Sequence, residues 1–281
     1  MTAVPATPPD PTTSASGRAA AATASVDPTA RRVPPLGGLN TTLVRIELRR
    51  MLRNRRTVVF ALVFPAAMFL VFGSGGDSQA SVGRGNVSAY VMVSMAMYGG
   101  ALIAASAGAG VAVERALGWS RQLRLTPLHP TAYIVVKAFV ALVMGGLAIL
   151  AVNVVGAVQG KPQMPAEVWA RCGLLTLACV MTFAALGVFV GYLVPGENVM
   201  QVLGPGLALL AFLGGLFIPL SQYSPIVRDI AYWTPMYGVA QVARAPLTGE
   251  LPWYAVVNAI AWFAVLVLGA AWRMSKDTGR V

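Results

Sequence analysis

A chain of 281 residues with 57% hydrophobic and only 11% charged side chains is too apolar to be water-soluble; soluble domains carry about 25% charged residues. The net charge of +11 does not indicate a nucleic-acid binder, because the Lys and Arg residues flank apolar runs, as membrane orientation requires. Cys172 and Cys179 share one apolar run and read as small buried hydrophobes, and a lone His129 leaves no room for a His-built metal centre.

In chain order, residues 1–40 are rich in Pro, Ala, Thr and Ser and predict a disordered cytoplasmic tail. No basic-then-apolar order precedes residue 57, so a signal peptide is not expected. Residues 43–56 then predict a short amphipathic helix. At about 100° per residue, Val44, Leu48, Met51 and Leu52 share one arc, and Arg45, Arg49, Arg53 and Arg56 the neighbouring polar arc. Ile46 and Arg55 depart from the pattern. Such a helix lies in the anionic headgroup layer of a membrane; a basic flank that only sets topology is the alternative.

Six apolar runs follow, at roughly 57–74, 88–112, 131–157, 172–193, 198–220 and 253–272. Each is near or above the length of about 20 residues that crosses the hydrocarbon core as a helix. The alternating segments of a barrel are absent, so the expected fold is an all-α membrane protein with six transmembrane helices. With the N-terminus inside, the inner segments hold nine Lys/Arg up to Arg56, then Arg115, Arg121, Arg124 and Lys137, and finally Arg273, Lys276 and Arg280. That is 16 of the 21, which predicts a multi-pass protein of the plasma (inner) membrane with both termini cytoplasmic.

The outer connection at 220–252 holds short apolar pieces broken by Pro219, Pro225 and Pro235, which predict small re-entrant helices between the fifth and sixth spans. Tyr232, Trp233 and Tyr237 suit an interfacial aromatic belt. A plain exposed loop is the alternative. The expected organisation is a tail at 1–40, a membrane domain at 41–275 and a cytoplasmic tail at 276–281.

The sequence lacks a GxxxxGK[ST] phosphate loop, HExxH, GxSxG and zinc-type cysteine pairs, and no carboxylate pair lies mid-span. Neither an enzyme nor an ion-driven carrier is expected. The positive signal is the charged interruption Val113–Pro130. Glu114 and Arg115 open it, Gly118 permits a bend, and Trp119 to Leu125 predict a short helix that Thr126-Pro127 stops. A short helix between two spans can act as a lever.

Here the chain resembles the permease subunit of type-2 ABC transporters, a class that includes drug-resistance exporters and polysaccharide-export permeases. The resemblance rests on Glu114, Arg115, Gly118, Leu123, Thr126, Pro127 and Leu128 in the loop after the second span, and on Lys137 opening the third. It extends to Pro219, Thr234-Pro235, Tyr237 and Arg244 in the late outer loop, and covers residues 41–275. It implies that a separate ABC ATPase subunit, carrying ATP and Mg, docks on a coupling helix in the 113–130 loop, Trp119 included, and on the 43–56 helix. This chain itself would hold no cofactor. Six spans are half of such a transporter, so a second permease chain, identical or not, is implied. The expected cargo is an amphipathic or lipid-like compound such as a drug or natural product, which would make the protein a multidrug-efflux and antibiotic-resistance exporter. Alternatives are a polysaccharide or glycolipid export permease, and a membrane anchor without transport. Expected partners are thus the ATPase, the second permease, lipid and a small amphipathic substrate, with no nucleic acid.

Within the spans, Met92, Met95 and Met97 with Tyr98 offer a greasy substrate path or ordinary helix packing. Asn153 is positioned for an interhelical bond or a substrate contact. Pro65 and Gly204-Pro205-Gly206 predict kinks.

Overall fold

The computed structural model describes residues 41–118 and 130–278. The expected tail at 1–40 and the loop residues Trp119, Leu123, Thr126, Pro127 and Leu128 lie outside the described residues. The helices are α1 (Thr41–Arg53), α2 (Arg55–Phe72), α3 (Val87–Ala116), α4 (Pro130–Gln159), α5 (Ala166–Leu193), α6 (Val199–Leu213), α7 (Pro225–Tyr232), α8 (Pro235–Thr248) and α9 (Trp253–Thr278). The protein is an all-α membrane protein. Helices α2, α3, α4, α5 and α9 are long and apolar enough to cross a bilayer.

The fifth apolar run differs from expectation. A full span was expected over 198–220, but the helix stops at Leu213. Its 15 residues rise about 22 Å at about 1.5 Å each, short of the hydrocarbon core of about 30 Å. The cause is local: Gly214 caps α6, Gly215 takes a left-handed φ of 71°, and Pro219 opens a 3-10 turn at Leu220–Gln222. Helices α7 and α8 follow, each with a proline at its first turn. Of the two, α8 is the buried one; it packs against α3, α5 and α9 at bundle depth.

Most of α3 is enclosed by the other helices. Its 30 residues span about 45 Å, and its run of Gly, Ala and Ser lets neighbours approach backbone to backbone. Gly187 on α5 sits so close that an added Cβ would lie 2.0 Å from the Ala105 carbonyl oxygen. A Cβ on Gly108 would lie 2.3 Å from the Ala184 carbonyl oxygen. Small residues at such spacing are how membrane helices gain packing where no hydrophobic effect drives them together. The outward faces of α2, α4 and α9 carry Val63, Leu70, Val71, Leu150, Val154, Ile260 and Leu268 in the open, as a lipid-facing surface does.

A two-stranded hairpin, β1 (Ser81–Val82) with β2 (Gly85–Asn86), links α2 to α3 and was not anticipated. Buried Asn86 holds it down. Its Oδ1 accepts from the Ala89 and Gln163 amides at 2.9 and 3.0 Å, and its Nδ2 donates to the Lys161 carbonyl at 2.8 Å. The Arg84 amide donates to the Leu247 carbonyl at 2.7 Å, joining the hairpin to the end of α8.

Candidate functional site

On α1, Leu43, Val44, Leu48 and Met51 pack against the core, while Arg45, Arg49 and Arg53 are exposed. Arg56, in the first turn of α2, is exposed too. Leu52, expected on the apolar arc, is instead exposed. The inward face is centred one position earlier because Glu47, the one acid of α1, points into the bundle and is buried.

Glu47 meets the end of α3 and the start of α4. The ammonium of Lys137 lies 2.7 Å from Glu47 Oε2 and also donates to Glu114 Oε1. Arg50 donates to that same Glu114 oxygen and lies 3.6 Å from Glu47 Oε1. Tyr133 donates its hydroxyl to the other Glu114 oxygen, Oε2. Two carboxylates and two cations make the group formally neutral. The Glu47, Glu114 and Lys137 side chains are all under a tenth exposed, whereas Arg50 roofs the group at 43%. A buried charge is tolerable only when paired and hydrogen-bonded, and here every buried charge is. The group binds α1 to α3 and α4.

Arg115, next in sequence, lies about 100° round the helix and meets the opposite neighbour. Its Nη1 lies 3.4 Å from the Gly191 and Tyr192 carbonyls at the end of α5, and its guanidinium lies 5.0 Å from the Tyr192 ring. A cation there also complements the negative end of the α5 dipole. Glu114 and Arg115 thus splay apart and grip three helices immediately before Gly118, whose φ of 71° turns the chain into the following loop.

The other end of α3 carries a different arrangement. Arg244 of α8 is 1% exposed, with no carboxylate bonded to it among the described residues. Its Nε donates to the Ala240 carbonyl at 3.1 Å. Its Nη1 donates to the Tyr90 hydroxyl, to Ser94 Oγ at 3.3 Å and to the Gly215 carbonyl at 2.9 Å. The guanidinium lies 4.5 Å from the Tyr90 ring. Its Nη2 has no hydrogen-bond partner among the described residues.

One turn along α3 from Ser94, Tyr98 joins Phe64, Met68, Phe72, Phe212 and Phe217 in lining an apolar pocket of about 260 Å³. The rings form a chain: Phe64 to Tyr98 at 6.1 Å, Tyr98 to Phe217 at 5.1 Å, and Phe217 to Phe212 at 4.8 Å between centroids. Tyr98 was a sequence candidate for a substrate path, and it lines this pocket. Met95 does not line it and is buried in the core. Asn153 accepts from the Trp169 indole N–H at 2.5 Å and donates to the Ile149 carbonyl at 2.7 Å, so it joins α4 to α5. Asn153→Ala is expected to cost about 0.6 kcal/mol, the usual worth of such a bond between membrane helices, read as a small fall in the melting temperature of the detergent-solubilised protein.

Pro219 precedes the 3-10 turn, and Pro235 starts α8. Tyr237 is buried, with its ring 5.0 Å from that of Tyr232. Sequence reasoning missed Glu47, Arg50 and Tyr133, and Tyr90 and Ser94 as partners of Arg244. Only Glu47 left a local signal, as a lone acid amid the apolar arc. Among the described residues, no three His, Cys, Asp or Glu side chains gather as a metal site.

Residues 39–248 match the family model described as "ABC-2 type transporter". The Bacillus subtilis (strain 168) protein named "Putative transport permease YvfS" is 27% identical over 226 residues, covering 79% of this chain and 91% of that protein.

Proposed function

Because this chain belongs to the ABC-2 type transporter family, we propose that it is the permease half of an ATP-driven exporter for an amphipathic or lipid-like compound, worked by an ATPase on a separate chain. Its basic residues orient it with both termini and the loop after α3 in the cytoplasm. The ATPase docks on that loop and on α1, and a second permease chain completes the path.

The observation that carries this reading is the neutral buried group at the end of α3. The Glu114 carboxylate passes a push on the loop to α1 and α4, and Arg115 passes it to α5. A loop that only closed a connection would need neither. About 24 Å along α3, from Glu114 to Tyr98, lies the aromatic pocket. Tilting α3 against α2 and α6 opens or closes it. The chain's residues move no proton and bind no nucleotide in this scheme; they convert displacement at one end of α3 into a change of pocket shape at the other.

The pocket's rings favour a drug-like or natural-product cargo over a glycan, which would need polar groups to replace its water. The test is purification of the tagged chain from its native membrane in mild detergent. An ATPase with a phosphate-binding loop is expected to accompany it and to support ATP-dependent export from cells. Glu114→Ala and Thr126→Ala are expected to abolish that export. Full transport and intact ATPase association in both variants would end the lever reading.

A further inference from the structure

Arg244 is too well placed for a residue that only fills space. Burying a cation without a carboxylate is costly, and in a membrane protein such a residue is a functional candidate. Its compensation comes from elsewhere: the Tyr90 ring, two hydroxyls, and the carbonyl end of α6.

Those contacts join three elements. Ala240 lies on α8 itself, Tyr90 and Ser94 on α3, and Gly215 at the break after α6. Two of these targets, Ser94 and Gly215, lie close in sequence to walls of the aromatic pocket. Tyr98 lies one turn beyond Ser94 on α3, and Phe212 and Phe217 flank Gly215. The break is closed locally: the Gly214, Gly215 and Leu216 amides donate to the Leu210, Phe212 and Ala211 carbonyls at 2.8, 3.0 and 3.0 Å, and the Tyr223 hydroxyl donates to the Phe212 carbonyl at 2.6 Å. Among the hydrogen bonds of the described residues, those of Arg244 alone join the break to α3.

We propose that Arg244 is a positioning residue for substrate selectivity: by bonding Gly215 and Ser94 at once, its guanidinium fixes the spacing between the Tyr98 wall and the Phe212–Phe217 wall of the pocket. The proposal rests on the reading of that pocket as the substrate site. Lysine does not replace it. The guanidinium holds the Ala240 carbonyl through Nε while Nη1 reaches Tyr90, Ser94 and Gly215, and a lysine has no second nitrogen to anchor it in that way.

The test uses the full chain in membranes, with Cys172 and Cys179 replaced by alanine. A Tyr98→Cys, Phe217→Cys pair reports the wall spacing through copper-phenanthroline cross-linking. An Asn153→Cys, Trp169→Cys pair reports helix packing elsewhere. Arg244→Lys and Arg244→Met are each expected to slow cross-linking of the first pair about tenfold while the second pair keeps its rate. Unchanged cross-linking of the first pair overturns the proposal, and so does equal slowing of both pairs, which marks general loosening.

A transport arm separates this proposal from the pocket reading. With ethidium as the probe, Arg244→Lys and Phe217→Ala are both expected to raise KM about tenfold with little change in kcat. A Phe217→Ala chain with wild-type KM would remove the pocket from the substrate path and leave the cross-linking result standing.

Discussion

Lys137→Met is expected to uncouple the transporter. The substitution removes the ammonium that Glu47 and Glu114 share and leaves two buried carboxylates with one half-exposed guanidinium, Arg50. Breaking a buried charge group by deleting one partner costs about 3 kcal/mol or more, because the remaining charge is buried unpaired. The protein is expected to melt earlier in detergent, and α1 to part from α4. On the proposed coupling, ATP hydrolysis by the partner ATPase is expected to persist while export falls about tenfold or more, since the step lost would be transmission and not fuel use. Glu47→Gln in the same chain removes the surplus charge, so the double variant is expected to recover part of the lost stability. The two effects are non-additive because the residues touch. Strict additivity in melting temperature would show that the two do not act as one group.

Gly187→Val is expected to prevent the protein from accumulating at all. The Ala105 carbonyl oxygen already occupies the place where a first side-chain carbon would go, and it is backbone in the middle of an enclosed helix. It has nowhere to retreat without shifting α3 along its length. Overpacking a tight core costs about 3 kcal/mol at the upper end of the usual range, and here an interhelical seam is lost as well. Gly108→Val meets the Ala184 carbonyl in the same seam and should fail likewise. By contrast, Gly110→Ala is expected to be tolerated, because nothing lies within 4 Å of its missing side chain. Membrane abundance and the size-exclusion profile of the three variants check this. Normal amounts of the Gly187→Val protein would show that the seam is looser than its geometry.

Much of this fold was legible because lipid imposes a simple rule, that a helix must be apolar over its full crossing. The five long helices follow directly. The short α6 was less visible, since Gly214 and Gly215 are apolar enough to read as a continued run and stop a helix only through backbone conformation. The hairpin at Ser81–Asn86 has strands of two residues, too brief for any alternation to show.

The site was only half legible. Glu114, Arg115 and Arg244 stood out through charge and resemblance. Glu47 was passed over because its pairing lysine lies 90 residues away, where no helical wheel can show it. Leu52 was misplaced because the inward face of α1 includes Glu47 and so sits further round the helix. The aromatic pocket draws on three separate stretches of chain, α2, α3 and the end of α6, and no local pattern announces their meeting.

The enclosure of α3 also bears on how the protein is made. Over its most apolar 18 residues it has the lowest mean hydropathy of the five long helices, since its Gly, Ala and Ser residues serve neighbours rather than lipid. Its close seams are met by α4 and α5, so α3 completes its packing only once both of these later helices are in place.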